Sequence, residues 1–578
     1  MTPATGPPHN ELAVRVAEWA RIKPDADAYT ELRYRGAECV PVTLSYARLH
    51  SVAGTLAQQL RISTDTGDRV AIMCAHGLDY VIAFLGCLYS NRVAVPLFPA
   101  TGIRNRDRVD GVLADARPSL SLISATDRTT SELFGPALGR VFALPADVTV
   151  AAAVPNPVID TLRADLAYLQ YTSGSTRTPA GVAVTHANLA AALGQLWSSV
   201  PATRNSPIVT WLPFFHDMGL VFALSLPLYS GVHGVTVAPA EFVKRPIRWL
   251  RACSDYRAGA TGGPNFGLAL AVSATTPEER DGLDLSGLET LLNGAEPIRA
   301  DVLADFTETY AAQGFRNRAH TPGYGLAEAT LSVTVCAPED EPVALRFDRA
   351  ALAHGHAATS PDGVPLVGCG TAARQRVAVV HPVERIEVAE ATVGEIWVAG
   401  PNVCAGYYNN PDTTSESFGL RLPGSTASWL RTGDLGFWYD GQLYIAGRLK
   451  DLIVIDGRNH YPSDIETTVT ACAPEVRPGH VTVFGHDDDH RENLVVVAEL
   501  AKADPTEADE LTALAQRIRV AIAAAHQVSA DAVVLVEPGR IPKTSSGKLR
   551  RGECRALYGA GRLPHLAVVG TRPPPGRT

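Results

Sequence analysis

A chain of 578 residues is too long for one compact core, so two or more domains are expected. Its 46% hydrophobic and 19% charged residues are ordinary for a soluble globular protein, and a net charge of −9 gives no reason to expect nucleic acid or an anionic membrane as partner. The nine cysteines lie far apart with no CxxC spacing, which argues against a disulfide framework or a zinc site and suits a reducing cytoplasm.

The first residues, Met1-Thr2-Pro3-Ala4-Thr5-Gly6, carry no basic start leading into an apolar stretch, so no signal peptide is expected. Val70-Ala71-Ile72-Met73 reads as a strand, the periodicity of Tyr80 to Leu88 as a helix, and Val93-Ala94-Val95-Pro96 as the next strand. Further β-like runs are Ser121-Leu122-Ile123, Leu166 to Gln170, Val182-Ala183-Val184, Ile208 to Trp211 and Glu289 to Leu292. Thr185 is an N-cap candidate for a helix through Leu196. The segment 219–240 has no charged side chain, but Pro227, Gly231, His233 and Gly234 interrupt it, so a buried strand-turn-strand is expected rather than an integral membrane segment. Strands separated by helix-length segments predict a layered α/β architecture.

Near Gly447 the texture changes. Leu443 to Ala446 and Leu452 to Ile455 read as strands around the polar Gly447-Arg448-Leu449-Lys450-Asp451. Ser463-Asp464-Ile465-Glu466 has capping-box spacing, two strands follow at Val481 to Phe484 and Leu494 to Val497, and Pro505 is expected to open a helix to about Ala525. These patterns divide the chain into a large layered α/β domain, 1–447, and a small α+β domain, 448–578, whose Pro- and Arg-rich tail after about Leu563 is expected to fray.

Five segments carry candidate chemistry. Tyr171-Thr172-Ser173-Gly174-Ser175-Thr176 lies between two strand-like runs, where a glycine admits backbone N–H groups to phosphate oxygens and hydroxyls add donors. No Gly-Lys-Ser/Thr follows, so it is not a Walker loop. Tyr324-Gly325-Leu326-Ala327-Glu328 offers an aromatic face for a base and a carboxylate for a hard cation such as Mg²⁺. Arg431-Thr432-Gly433-Asp434 offers a carboxylate to ribose hydroxyls, and Gly447-Arg448 a guanidinium at the domain boundary. Ile541-Pro542-Lys543-Thr544-Ser545-Ser546-Gly547-Lys548 ends in a lysine on a Gly-containing turn. Each alone is more often a cap, a turn or a surface ion pair; all five in this order point to ATP chemistry.

In that order and spacing the segments resemble the adenylate-forming superfamily of acyl-CoA synthetases, luciferases and peptide-synthetase adenylation domains, over roughly residues 11–560. The resemblance implies a large N-terminal domain and a small mobile C-terminal domain with the active site between them. Leu169 to Pro179, Trp211-Leu212-Pro213-Phe214-Phe215-His216-Asp217-Met218-Gly219, Gly262-Gly263-Pro264-Asn265-Phe266 and Asp456 to Glu466 are closest to the fatty acyl-AMP ligases. Those enzymes use ATP to make acyl-adenylates and pass the acyl group to the phosphopantetheine thiol of a carrier protein, here one supplied in trans. The region 341–369 resembles the insertion of these ligases, which is thought to restrain the rotation needed for CoA use. Two departures are Ala180, where many members have lysine, and Gly267-Leu268, where the ligases more often have Ala-Tyr.

By resemblance, Thr172, Ser173, Gly174, Ser175 and Thr176 hold the phosphates, and Gly294, Ala295, Glu296, Pro297, Tyr324, Gly325 and Leu326 surround adenine. Asp434 and Arg448 take the ribose, Glu328 binds Mg²⁺, Lys548 bridges the substrate carboxylate and α-phosphate, and Lys450 is the hinge. His216 is placed beside the acyl carboxylate, where peptide-synthetase domains usually carry an aspartate; a histidine there argues against amino-acid substrates, an argument that Asp217, one residue on, weakens slightly, and a satisfied core histidine is the bland alternative. Lys543 is expected to be a replaceable surface lysine. The competing functions are a medium- or long-chain acyl-CoA synthetase and a non-catalytic acyl or nucleotide binder.

Overall fold

The computed structural model describes residues 11–99, 106–127, 129–151, 153–155, 157–159, 165–171, 180–337, 340–372, 374–487, 492–502, 508–543 and 549–570. Two large sheets organise the N-terminal part. In the six-stranded one, Arg140–Ala143, Leu120–Ile123, Arg69–Met73, Val93–Pro96 and Leu166–Tyr171 run parallel, and Gly181–Thr185 closes the edge antiparallel. In the nine-stranded one, His320–Gly325, Thr290–Asn293, Ala260–Gly262, Ile208–Thr210, Gly234–Val237 and Asp27–Arg35 are successive parallel neighbours. The strands read from the sequence fall in these sheets within a residue or two.

The helix Leu78–Tyr89 explains how the sheets are held. It is apolar all round, its buried side chains cover every face, and it packs on strands of both sheets. A helix of that composition has no solvent face to offer, so it can only be a core layer. His186–Ser199 begins as expected: Thr185 caps it, and Asn188 returns the bond to the Thr185 N–H in a capping box.

The uncharged 219–240 segment is buried, but it is not strand-turn-strand. Gly219–Ser225 is a π-helical turn running into helix Leu226–Ser230, then Gly231 reverses the chain in a left-handed conformation, and only Gly234–Val237 is a strand. Periodicity does not separate a short buried helix from a buried strand; Leu and Ala content decides for helix here. Among the described residues no helix is long and apolar enough to cross a membrane.

A four-stranded antiparallel sheet (Arg376–Val380, Gly394–Ala399, Leu430–Tyr439, Gln442–Arg448) leads to the C-terminal part. That part has its own cores, built from residues 453–569 around the sheet Val476–Asp487, Glu492–Leu500, Ala532–Val536 and Ala567–Gly570. Ala567–Gly570 lies in the tail expected to fray, yet it pairs antiparallel with Ala532–Val536. Ser463 is not a cap: Tyr461 holds that position and Pro462 takes the first helical place, where its missing N–H costs nothing. Helix Ala508–His526 matches the long helix, while Pro505 lies outside the described residues.

Glu466, freed from capping, joins a buried ion cluster. Arg551 donates to Glu466 at 2.7 Å, to Asp451 at 2.9 Å and to the Val483 carbonyl at 2.8 Å. This ties the start of helix Arg551–Gly559 to the turn Leu449–Asp451 that enters the C-terminal part. Burial, with a smaller push from the Asp451 charge, raises the Glu466 carboxyl, and the guanidinium opposes that shift. Arg551→Met leaves two partly buried carboxylates without their counter-ion, an expected cost of about 3–5 kcal/mol. Urea unfolding should show an early transition confined to the C-terminal part.

The 341–369 region forms the hairpin Ala344–Phe347 and Val364–Val367 with the short helix Arg349–Ala353 between its strands. Phe347 and Leu352 pack with Phe437, Tyr444 and Tyr461, joining the four-stranded sheet to the C-terminal part. Arg349 makes a two-pronged pair with Asp464 at 2.8 and 3.1 Å, and Tyr461 donates to the Leu352 carbonyl at 3.3 Å.

Candidate functional site

Four parallel strands of the large sheet end side by side, and the segments leaving those ends are 211–218, 263–266, 294–297 and 325–328. Ligands of open α/β sheets bind in the crevice outside the carboxyl ends of the strands. The chain therefore gathers four of its predicted segments on the edge where an active site is expected.

The tightest cluster is Tyr324, Asp434 and Arg448. The Tyr324 hydroxyl donates to Asp434 Oδ2 at 2.7 Å, and Arg448 Nε donates to Oδ1 at 3.1 Å. Asp434 and Arg448 are cross-strand partners, which fixes their approach. Burial raises the Tyr324 phenol well above its ordinary value, with the Asp434 charge adding to it; the same charge raises the Arg448 guanidinium. Each carboxylate oxygen keeps a second lone pair, so Asp434 can still accept from two hydroxyls.

Glu328 sits on the turn Ala327–Ala329, which doubles back so closely that a Cβ on Gly325 would lie 1.8 Å from the Leu331 carbonyl oxygen. Its Oε1 accepts from the Tyr407 hydroxyl at 2.8 Å, and burial holds its carboxyl above the usual range. The 400–408 segment, which the sequence did not single out, builds this corner. Cys404 N donates to the Glu328 carbonyl at 2.9 Å, and Asn402 Nδ2 donates to that of Ala329 at 3.1 Å. Ala183 N and Tyr408 N then bond across to the Gly406 and Gly181 carbonyls, tying Glu328 to the strand Gly181–Thr185. The loop residues Thr172, Ser173, Gly174, Ser175 and Thr176, and Lys548, lie outside the described residues.

Gly294, Ala295, Glu296 and Pro297 pack against the same edge. A Cβ on Gly294 would stand 2.9 Å from the Gly323 carbonyl oxygen, and Ala295 adopts a left-handed φ of 70°. Glu296 Oε1 accepts from Phe266 N at 3.3 Å, and Asn265 Nδ2 donates to the Pro297 carbonyl at 2.7 Å. Leu326 is partly buried against the main core.

His216 follows the strand Ile208–Thr210 on the same edge, with Nδ1 2.6 Å from Asp217 Oδ1. Among the described residues no hydrogen bond or ion pair joins it to Tyr324, Glu328, Asp434 or Arg448. Asp217 is its partner. Phe214 turns inward to stack on His76, while Phe215 packs on Phe98, and its carbonyl accepts from Gln170 Nε2 at 2.9 Å.

Lys450 lies on the turn Leu449–Asp451 between two strands, as expected; burial and the Arg448 charge lower its ammonium pKa. On either side of residues 544–548, Lys543 bridges to Leu549 and Arg550 N donates to the Pro542 carbonyl at 2.8 Å. Arg550 lies close enough to Arg108 to add to the burial that lowers the Arg108 pKa. Arg108 lines a small crevice with Tyr171 and Phe215. Lys543 is not a solvated lysine: it is half-buried, bonds to His480 and lies near Glu499.

Residues 16–408 match the family model described as AMP-binding enzyme, and residues 450–568 match that of a Disco-interacting protein 2-like AMP domain. The chain belongs to the AMP-binding enzyme family. It has the adenylate-forming fold, with a large N-terminal α/β domain and a smaller C-terminal domain. The enzyme is 39% identical to the 4-hydroxyphenylalkanoate adenylyltransferase of Mycobacterium tuberculosis over 89% of this chain and 86% of that one. It is 37% identical to the long-chain-fatty-acid–AMP ligase FadD32 of Mycolicibacterium smegmatis, covering 96% and 95%. Among solved structures it is similar to the fatty acyl-adenylate ligase of L. pneumophila in complex with acyl adenylate and pyrophosphate, at 32% identity, TM-score 0.72, and coverage of 97% and 98%.

Proposed function

We propose that this enzyme joins a fatty or arylalkanoic acid to AMP, releasing pyrophosphate, and then passes the acyl group to the phosphopantetheine thiol of a carrier protein supplied in trans. The observation that carries this reading is the strand-end cluster of Tyr324, Asp434, Arg448 and Glu328, on the edge that also presents His216. One similar enzyme is named for 4-hydroxyphenylalkanoates and another for long-chain fatty acids, so the substrate is an acid with a sizeable apolar body.

The reaction joins a carboxylate oxygen to the α-phosphorus of ATP as the bond to pyrophosphate breaks. Two anions must meet, so fixed donors and positive charge supply most of the acceleration. Asp434 and Arg448 hold the ribose, with adenine between Tyr324 and Gly294-Ala295-Glu296-Pro297. The Thr172 to Thr176 loop holds the phosphates. Lys548 spans the carboxylate and α-phosphate, and His216, oriented by Asp217, faces the acyl carboxylate.

Glu328 suits Mg²⁺: it is a hard oxygen donor, held by Tyr407, whose burial is unfavourable unless a cation offsets it. Bound there, Mg²⁺ would neutralise phosphate charge. The boundary lies at 447/448, with Lys450 as the hinge. Nothing in the chain calls for an oxidising compartment, and we place the enzyme in the cytoplasm.

The acceptor choice rests on the clamp between Arg349 and Asp464, which holds the insertion against the C-terminal part. Labelled acids with ATP and magnesium, run with CoA or with a phosphopantetheinylated carrier protein, test it. Acyl-AMP that ignores CoA and is consumed by the carrier supports the ligase reading; prompt acyl-CoA formation would make the enzyme a synthetase. Arg349→Ala is expected to raise CoA acylation roughly tenfold, the shift given by losing about 1.4 kcal/mol of restraint.

A further inference from the structure

Trp211 leaves the strand Ile208–Thr210 into the wall of the site, 3% exposed, stacked on Phe242 at 3.9 Å and edge-on to Phe266. Its ring has the surroundings of a core aromatic. Its Nε1 does not, since it is fully buried and has no acceptor among the described residues. Buried indole N–H groups nearly always find a partner, because leaving one unpaired costs about 1–3 kcal/mol.

The direction of that N–H follows from two glycines. A Cβ on Gly267 would lie 2.5 Å from Trp211 Cζ2, so the benzo side of the ring is seated on the helix Asn265–Ser273. A Cβ on Gly263 would lie 3.3 Å from Cζ2 and 3.6 Å from Nε1, so the N–H edge faces Gly263. On the other side of Gly263 stands Asn293, fully buried at the end of the next strand. Its Nδ2 donates to the Gly263 carbonyl at 3.1 Å, while its Oδ1 has no donor among the described residues. An unpaired donor and an unpaired acceptor therefore flank one side-chain-less position on the carboxyl edge of the sheet.

We infer that Trp211 and Asn293 select an acyl group carrying a hydroxyl, alcohol or phenol, at the level of Gly263. Such a group accepts from Trp211 Nε1 and donates to Asn293 Oδ1, satisfying both atoms at once. A plain alkyl chain leaves both unpaired, and sites built to bind a hydroxyl discriminate strongly against analogues that lack it. This rests on the proposed activation of a carboxylic acid, since it assigns the tail of the same substrate.

Adenylate formation would be measured by pyrophosphate exchange on paired acids: phenol-ended against phenyl-ended alkanoates, and terminal-hydroxyl against plain straight-chain acids of increasing length. The wild-type enzyme is expected to favour the hydroxylated member of its best pair by at least about tenfold in kcat/KM. Trp211→Phe, which keeps the ring and removes the N–H, should collapse that ratio toward one. Gly263→Ala, which fills the position, should do the same by excluding the hydroxyl. Equal kcat/KM within every pair for the wild type, or a preference that survives both substitutions, overturns the inference while leaving acid activation intact. No exchange with any acid, by folded enzyme that binds ATP, overturns the proposed function instead.

Discussion

Lys548→Ala lowers acyl-adenylate formation by about 10²–10³ while part of the ATP affinity remains, the usual loss on removing one preorganised donor from a charge-rich transition state. The carboxylate and triphosphate repel until a cation spans them, so the lysine contributes most where their charges draw closest. Among the described residues on either side, Lys543 bridges to Leu549, and Arg551 anchors the helix that follows to Asp451 and Glu466. Lys543 does not serve as the neutral control, because its bond to His480 beside buried Glu499 gives it a structural role. Exposed Lys502 does. Pyrophosphate exchange and nucleotide titration on both variants check the result, and near wild-type exchange by Lys548→Ala would refute the assignment.

The alternation of strands and helices was legible because buried parallel strands are short continuous apolar runs, and the helices between them carry their own caps, as Thr185 does. What was not legible came from competition between local and distant partners. Ser463 and Glu466 have capping-box spacing, but Glu466 is drawn to Arg551, 85 residues away, and Pro462 supplies the helix start without a cap. The 219–230 helix has no polar face, so no period marks it. In the site, residues with an obvious chemical role were readable by type and order. Asn402 and Cys404, which hold the Glu328 turn by an amide and a backbone bond, have no signature because their partners are main-chain groups that any sequence offers, and Tyr407 meets the Glu328 carboxylate from 79 residues away.

Glu328→Gln should cost adenylation about 10² at neutral pH and at the same time make the metal-free protein more stable. Both follow from burial. The wild-type carboxyl is held above its ordinary value of 4.5 chiefly by desolvation, with Tyr407 and Arg448 offsetting part of that. Its protonated form is therefore favoured by folding, and the cost of the charge is absent below the unfolded value. That cost grows as pH rises through the window between the unfolded and folded values, and is complete above it. Glutamine is neutral throughout and still accepts from Tyr407, so it removes the cost where the wild type bears it in full. A cation binding the same carboxylate competes with the proton, so the apparent magnesium affinity of the wild type, assayed with ATP present, should rise with pH across that window and then level off. Melting curves of both proteins without metal at acidic and neutral pH, beside magnesium titrations of activity, separate the two effects. A variant that is less stable at neutral pH, or one with wild-type magnesium dependence, would show that Glu328 is a structural carboxylate and not the metal ligand.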